Sequence, residues 1–473
     1  MTKRFSALMT LLLVASFLLA CSATPQPVQT DVPPPPPTDT PAPEPTETSR
    51  PTKKAPSGPV ATAMAMAQSV TLVPPTAVGG VASKDIEPDD YVGIFEQAWA
   101  IVKVNYVRDD YNGVDWDAIH DEYLPRAQQV TSSEELHQLL SALIAELGDD
   151  HSRFVPPDRM EAEFGVGQGG EARPWTGIEI WPGPGREDQY LTAWNVCTLS
   201  PAASAGIERG DVILAVDGRP LERGPEGFTR EQVRAVMFGT GGDSVTLTIR
   251  SGPDEEARDV DVRLGGAGGC DDWRHEIVNE SPRIGYIRVP DFDGDAAKNI
   301  FDAIREMEKE TPLHGLILDV RHNPGGNSDA SAAIFTKGIV GTEGPLRADK
   351  QRTTYRIRQV GNMIWNETTP VVVLIDGSSH SAADYFPAAM KELGRATIMG
   401  MNSAGNTEGI NSFGLADGTL IRLAWTILLL NDGSSIEGVG VTPDVEVPLG
   451  MWGLKQQPYD VQVQSAIDYL VGK

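Results

Sequence analysis

Apolar side chains recur every three or four positions in three segments between residues 91 and 147, a spacing that predicts amphipathic helices. These segments are Tyr91–Val107, Trp116–Leu124 and Ser133–Leu147. Ser132 or Ser133 can cap the third helix, and Gly148 can end it. The pattern therefore predicts a small helical domain that ends in a polar turn containing His151.

From about Cys270 onward, short apolar runs alternate with helical patterns. The predicted strands and helices are, in order, Arg283–Val289, Ala296–Glu310, Leu316–Val320, Ser328–Ile339, Val371–Ile375 and Ala382–Leu393. Strands separated by helices favour a βαβ arrangement with a largely parallel sheet. Val371–Ile375 is apolar throughout, which is typical of a strand that is buried on both faces.

Ser381 lies between the predicted strand Val371–Ile375 and the predicted helix Ala382–Leu393. A serine at such a junction has an exposed hydroxyl beside the first free backbone N–H groups of the helix. Both features suit nucleophilic attack on a carbonyl. The alternative interpretation is that Ser381 only caps the helix, as serine often does.

A glycine-rich turn, Pro324-Gly325-Gly326, follows the predicted strand Leu316–Val320. Such a turn exposes bare backbone N–H groups at the end of a parallel strand, where these sheets bind ligands. The N–H groups can donate to an oxyanion that develops during acyl transfer. A plain type II turn explains the same residues.

The first residues predict export from the cytoplasm. Lys3 and Arg4 precede an apolar core, Leu11–Leu19, which ends just before Cys21. This order is typical of a secretory signal, and a cysteine after the small residue resembles a bacterial lipobox, in which that cysteine is lipidated. The alternative is a signal cut elsewhere that leaves Cys21 unmodified. We expect a lipid-anchored protein that faces outward, with residues 1–20 as the signal peptide.

Residues 21–84 are rich in proline and nearly devoid of aromatic residues, so they predict an extended, disordered tether. The net charge of −27 makes nucleic-acid binding unfavourable. Cys197 and Cys270 could form a disulfide in an oxidising compartment, but their spacing does not decide it.

The segment from about Arg173 to Leu264 resembles a PDZ domain. The resemblance rests on Ser200–Ile207, on Gly210–Gly218, on a helix near Thr229–Phe238 and on the strand Ser244–Arg250. In that family a peptide's C-terminus adds as a strand beside the first strand, and a backbone loop holds its carboxylate. By position, that loop is Trp175, Thr176, Gly177 and Ile178. The alternative is a β-rich module that binds no ligand.

Together, these pieces resemble the tail-specific, C-terminal-processing serine peptidases, in the clan of the tricorn protease. The shared motifs include LILDVRHNPGG, PVVVLIDGSSHSAADYF, GRATIMG and SIEGVGVTPDVEV. The resemblance implies an α/β multidomain protein whose protease core has a crotonase/ClpP-like ββα fold. It implies a helical domain over 85–165, a PDZ domain over 166–266 and the peptidase core over 267–473, with no cofactor or metal.

The resemblance also bears on the catalytic residues. The processing-peptidase branch pairs its serine with a lysine 25 residues later, where this chain has Asn406. Lys391 lies too far along the helix from Ser381 to replace it. The tricorn-like branch uses histidine and glutamate instead, which correspond here to His151 and to Glu437 in a predicted final strand.

The expected function is therefore an endopeptidase that cleaves protein or peptide substrates held by their C-termini. Ser381 attacks, His151 acts as the base, Glu437 orients it, and the N–H groups of Ala382 and of Gly325 or Gly326 form the oxyanion hole. Asp150 competes with Glu437 for the orienting role. An inactive, peptide-binding scaffold is the first alternative, and a carrier of small apolar ligands is the second.

Overall fold

The structure is a computed structural model that describes residues 86–149, 151–157, 159, 174–181, 191–224, 228–265, 273–359 and 361–473. The helices are α1 (Tyr91–Asn105), α2 (Trp116–Ala127), α3 (Ser133–Ala145), α4 (Pro201–Ser204), α5 (Arg230–Phe238), α6 (Ala296–Met307), α7 (Asp329–Phe335), α8 (Ala382–Glu392) and α9 (Val461–Val471). The predicted signal peptide and tether lie outside the described residues. Within the described part, no helix is both long and apolar enough to span a membrane.

The strands form three sheets. They are β1 (Arg153–Val155), β2 (Ile178–Trp181), β3 (Leu191–Val196), β4 (Val212–Val216), β5 (Arg219–Pro220), β6 (Ser244–Arg250), β7 (Arg258–Arg263), β8 (Arg274–Glu280), β9 (Arg283–Arg288), β10 (Gly315–Asp319), β11 (Gly338–Gly344), β12 (Thr353–Ile357), β13 (Val371–Ile375), β14 (Thr397–Gly400), β15 (Gly409–Gly414), β16 (Leu420–Leu430) and β17 (Val445–Glu446).

The C-terminal core is built on a six-stranded sheet in the order β17-β14-β13-β10-β9-β8. Its strands are parallel except for β8, which is antiparallel to β9. Val371, Val373 and Ile375 of β13 pack with α6, α7 and α8, whereas Val372 and Leu374 pack with α9. Burial on both faces requires apolar residues at every position of β13. The predicted α/β core is confirmed.

The PDZ domain has its own sheet in the order β2-β3-β4-β6-β7, with β5 paired to β4. Helix α5 packs against β2, and a capping box between Thr229 and Gln232 closes its first turn. Among the described strands of this sheet, β2 pairs only with β3. Within the described part of the chain, its second edge is unpaired and lies beside α5.

The helical region begins with α1, α2 and α3, as the apolar spacing predicts. The side chains of Asp90, Asp115 and Ser132 cap the three helices by accepting backbone N–H groups. The apolar faces of these helices share one buried cluster with β15 and β16. The helical region is therefore packed directly on a sheet that continues into the core.

This third sheet brings distant parts of the sequence together. Strand β16 pairs antiparallel with both β1 and β15, so that Arg422 lies opposite Arg153 and also opposite Ser412. Because β1 and β15 flank β16 and run in the same direction, their first residues lie at the same end of the sheet. His151 shortly precedes β1 and Glu408 directly precedes β15. The strand register thus places these two residues close together.

Two sequence predictions about local structure are wrong. The helix predicted over Ser328–Ile339 ends at Phe335, because Thr336 is extended and Gly338, with φ of 153°, starts β11. Glu437 lies in a turn instead of a strand. Gly438 and Gly440 have φ of 70° and 75°, a left-handed conformation that interrupts an extended chain.

Candidate active site

Ser381 stands at the N-terminus of α8 in a strained conformation. Its φ of 54° and ψ of −117° are unusual for a residue with a side chain, and such conformations cost about 1–3 kcal/mol. The side chain makes no capping hydrogen bond to α8, so the capping interpretation is not supported. Its backbone N–H instead donates to the carbonyl oxygen of Asn406 at 2.9 Å.

The loop before Ser381 is fixed by the buried carboxylate of Asp376. Its Oδ1 accepts the N–H groups of Ser378 and His322, which follow two neighbouring strands of the core sheet. The Ser379 hydroxyl donates to the carbonyl oxygen of Val320 at 2.9 Å. Burial raises the pKa of Asp376 to about 6. These bonds tie the loop that carries Ser381 to the loop that carries the glycine turn.

The glycine turn lies directly against Ser381. A Cβ atom on Gly325 would lie 2.8 Å from Ser381 Cβ and 3.1 Å from Ala382 N. At Gly326, with φ of 124°, it would lie 2.5 Å from Asp293 Oδ1. Both positions therefore require glycine: Gly325 because it packs against the Ser381 loop, and Gly326 because it packs against Phe292 and Asp293.

The candidate oxyanion donors are not equivalent. The Gly325 N–H donates to Asn323 Oδ1 at 2.8 Å, so it is already used within the turn. Among the described residues, the N–H groups of Gly326 and Ala382 have no acceptor. The pair of donors that the geometry offers to an oxyanion is thus Gly326 and Ala382.

His151 is buried in the turn between α3 and β1, with 3% of its surface exposed. Asp149 Oδ1 shapes this turn by accepting the N–H groups of His151 and Ser152. His151 Nε2 lies 2.9 Å from Asn406 Oδ1, within hydrogen-bond distance. Asn406 therefore contacts both candidates, His151 through its side chain and Ser381 through its backbone. Asp150 lies outside the described residues.

The carboxylate that faces the His151 ring is Glu408, which the sequence analysis missed. Its Oε2 lies 3.5 Å from His151 Nδ1, and its Oε1 forms an ion pair with Arg108. Burial raises the pKa of Glu408 to about 7, while the nearby Arg108 cation has the opposite effect. Glu408 directly precedes β15. The sequence does not show that β15 and β1 pair with the same strand, β16, so it gives no sign that Glu408 lies near His151.

Glu437 contacts the same segment without a described bond to the His151 ring. Its Oε2 accepts the Thr407 N–H at 2.6 Å and the Thr407 hydroxyl at 2.7 Å. Glu437 therefore fixes the residue between Asn406 and Glu408.

Helix α8 holds the same segment from its other side. Asp384 Oδ1 accepts the Ser403 hydroxyl at 2.5 Å and the Gly405 N–H at 2.9 Å, and the Tyr385 hydroxyl donates to the Thr407 carbonyl oxygen. Burial raises the pKa of Asp384 to about 6. The residues after Ser381 thus position the segment that contacts His151.

The predicted carboxylate loop of the PDZ domain is largely satisfied by internal bonds. The Trp175 and Thr176 N–H groups donate to the carbonyl oxygens of Gly265 and Met237, and the Ile178 N–H donates to Thr176 Oγ1 at 3.3 Å. Gly177, with φ of 83°, is the remaining member. Among the described residues its N–H has no acceptor.

The remaining residues considered in the sequence analysis are a lysine and two cysteines. Lys391 pairs with Asp444 and donates to the Thr442 carbonyl oxygen. Cys197 is in a disulfide bond, and Cys270 lies outside the described residues. In the described part of the chain, no group of histidine, cysteine and acidic residues is arranged to hold a metal.

Comparison with known proteins assigns the family. Residues 283–447 match peptidase family S41, residues 88–145 match the tricorn protease C1 domain, and residues 195–251 match a PDZ domain. The carboxy-terminal-processing protease of Bartonella bacilliformis is 31% identical over 362 residues, covering 71% of this chain and 75% of that protein. The chain belongs to peptidase family S41.

Other S41 relatives match most of the chain. The carboxyl-terminal-processing protease of a Synechocystis species is 26% identical over 401 residues, covering 80% of this chain and 86% of that protein. The solved structure of a photosystem II D1 C-terminal processing protease superposes with a TM-score of 0.56 at 22% identity, covering 76% and 95% of the two chains. The S41 sequence relatives, together with the PDZ domain, support a peptidase function acting on proteins or peptides.

Proposed function

We propose that this S41 protein is a serine endopeptidase in which Ser381 is the nucleophile and His151 the general base. The observation that carries the proposal is the double contact of Asn406, which accepts the Ser381 N–H and contacts His151 Nε2. Contact of one residue with both a strained serine and a buried histidine supports their assignment to one site.

The proposed reaction is acyl transfer through a covalent intermediate. Ser381 Oγ attacks the scissile carbonyl, and His151 Nε2 takes the hydroxyl proton and later gives it to the leaving amine. Water then hydrolyses the acyl-enzyme by the same route in reverse. The Gly326 and Ala382 N–H groups stabilise the oxyanion, each by about 3 kcal/mol. Before attack, the Asn406 side chain must release Nε2 so that it can accept the Ser381 proton.

Glu437 has a supporting role in this mechanism. Its two hydrogen bonds to Thr407 fix the segment that carries Asn406. Loss of Glu437 is therefore expected to displace the partner of His151 Nε2.

We also propose that the PDZ domain binds substrate C-termini. The second edge of β2 lies beside α5, and an extended peptide can add there as a further strand. The Gly177 N–H is the donor in the Trp175–Ile178 loop that is available for a terminal carboxylate. With a lipid anchor at Cys21 and an extended tether, this activity would be located outside the cytoplasm, on the outward face of the membrane.

An inactive peptide-binding scaffold is the second candidate. It is favoured by the same contact, because Asn406 stands where related enzymes have a lysine base and its side chain occupies His151 Nε2. In a scaffold, His151 Nε2 would stay in contact with Asn406. In an enzyme, Nε2 would leave Asn406 and contact the Ser381 hydroxyl instead.

Peptide hydrolysis by three proteins separates the two candidates. The wild type should cleave an unfolded protein substrate, while Ser381→Ala and His151→Ala should each remain folded and lose at least about 1000-fold in kcat. Retained activity in His151→Ala would contradict the proposed base. An inactive wild type that still binds peptides would support the scaffold.

A further inference from the structure

Among the described residues, two polar groups beside the His151 ring favour opposite ring tautomers. Asn406 Oδ1 is an acceptor 2.9 Å from Nε2, so it favours the proton on Nε2. Glu408 Oε2 is 3.5 Å from Nδ1, and when ionised it favours the proton on Nδ1. Only the second tautomer leaves Nε2 free to act as a base.

The sheet, and not side-chain packing alone, fixes the position of Glu408. Glu408 directly precedes β15, His151 shortly precedes β1, and both strands pair with β16. The Ser152 Oγ accepts the Ala424 N–H of β16 at 3.1 Å, which anchors the residue next to His151. Backbone pairing therefore holds the segments that carry the carboxylate and the ring next to each other.

The charges around Glu408 come from several elements. Arg108 follows α1 and pairs with Oε1, Asp149 follows α3, Glu437 follows β16, and His151 faces Oε2. Arg108 and His151 favour the ionised carboxylate, whereas Glu437 and Asp149 oppose it. Glu408 itself is buried, with 3% of its surface exposed. A buried carboxylate with one oxygen on a cation and the other toward an imidazole is suited to orient that imidazole.

We propose that Glu408 is the positioning residue for His151: its carboxylate accepts the Nδ1 proton and so leaves Nε2 free to receive the proton of Ser381. This inference rests on the proposed peptidase function. It assigns the orienting role to Glu408, ahead of Glu437, because Glu408 Oε2 lies 3.5 Å from Nδ1, whereas Glu437 Oε2 accepts two hydrogen bonds from Thr407. After proton transfer, the same carboxylate stabilises the doubly protonated ring.

The ring tautomer of the wild-type protein gives a direct test. In ¹⁵N-histidine-labelled protein, long-range NMR spectra distinguish Nδ1–H from Nε2–H, and His151→Gln identifies the signals of His151. We expect Nδ1–H at about pH 9, where Glu408 is ionised. A proton on Nε2 at that pH would overturn the proposal. The outcome does not depend on peptide hydrolysis, so an inactive wild type would refute the proposed function without deciding this test.

Two variants that break the same ion pair separate positioning from structural support. In Glu408→Gln, the amide oxygen remains toward Arg108, so the amide NH₂ faces Nδ1 and enforces the wrong tautomer. We expect its kcat on the high-pH plateau to fall about 100-fold with little change in KM. In Arg108→Gln the carboxylate still faces His151, so the plateau should stay within about threefold while the acidic limb moves to higher pH.

Each kcat is divided by the fraction of molecules that a fluorophosphonate labels when the labelling reaction is complete. This correction removes the contribution of misfolded protein. A purely structural ion pair would lower stability equally in both variants and leave both plateau values of kcat similar. That result, or an unchanged plateau in Glu408→Gln, would overturn the proposal.

Discussion

The most informative single residue is Asn406. Its backbone carbonyl accepts the Ser381 N–H, and its side chain contacts His151 Nε2. An amide cannot accept the serine proton at physiological pH, so Asn406 cannot act as the base. Its proposed role is to position Ser381 and His151 through hydrogen bonds. In the proposed mechanism, the base for Ser381 is therefore a histidine that comes from another part of the fold.

Asp384 provides a stability prediction at the residue scale. Its pKa is raised from 3.8 to about 6 by burial, so the folded protein holds this proton more tightly than the unfolded chain does. The protonated carboxyl therefore stabilises the folded state most below about pH 4. This stabilisation, about 3 kcal/mol of the free energy of unfolding, is lost as the pH rises past 6. Asp384→Asn keeps an acceptor for Ser403 and Gly405 and removes this fall.

Urea denaturation near pH 4 and near pH 7 measures the effect. Relative to wild type, Asp384→Asn should gain about 2 kcal/mol between the two pH values, whereas the exposed control Glu310→Gln should gain nothing. An identical pH dependence in Asp384→Asn and wild type would show that the carboxylate is not perturbed as described.

At the scale of elements, strand β16 is decisive, because it aligns the segments that carry His151 and Glu408. The Ser152 Oγ is the link between His151 and this strand, since it accepts the Ala424 N–H. Ser152→Ala leaves a buried N–H without an acceptor, which we expect to lower the free energy of unfolding by about 1–3 kcal/mol.

The same substitution should lower kcat more than KM rises, because the histidine and not the substrate site is displaced. Denaturation and steady-state kinetics on one preparation check both effects. Ser141→Ala, an exposed site on α3, is the control. Normal stability in Ser152→Ala would show that the anchor is unimportant.

The elements also show what the sequence could predict. Buried runs such as Val371–Ile375 and the helix after it were readable, because their patterns are local. The turn at Glu437 and the early end of α7 could not be predicted in this way. They depend on the backbone conformation of nearby glycines, which the apolar pattern does not show. Glu408 was missed for a different reason: its partner lies more than 250 residues away, and strand register has no local sequence signal.

At the scale of the whole molecule, the PDZ domain and the core meet near the glycine turn. Trp194 of β3 stacks on His322 with ring centroids 5.6 Å apart, and it contacts Arg321 as well. Arg321 pairs with Asp319 and Asp460 in the buried core. A peptide bound beside β2, as proposed, would therefore lie one strand away from β3, whose Trp194 packs against the loop preceding Gly325.

Recognition of C-termini makes a prediction at this scale. A peptide substrate with a free terminal carboxylate should have a KM about tenfold lower than the same peptide with an amidated terminus, at similar kcat, because the Gly177 N–H would bind the carboxylate. Steady-state kinetics on the matched pair measure the difference. A substrate with an internal cleavage site and no accessible terminus serves as control. Equal KM values for the matched pair would contradict C-terminal recognition.

The central claim is that Ser381 is a nucleophile activated by His151, and labelling with a fluorophosphonate tests it most directly. Peptide mass spectrometry of the labelled wild type should place the phosphonyl group on Ser381, and His151→Ala should label at least about 100-fold more slowly. No labelling of the wild type, labelling at another serine, or an unchanged rate in His151→Ala would contradict the account.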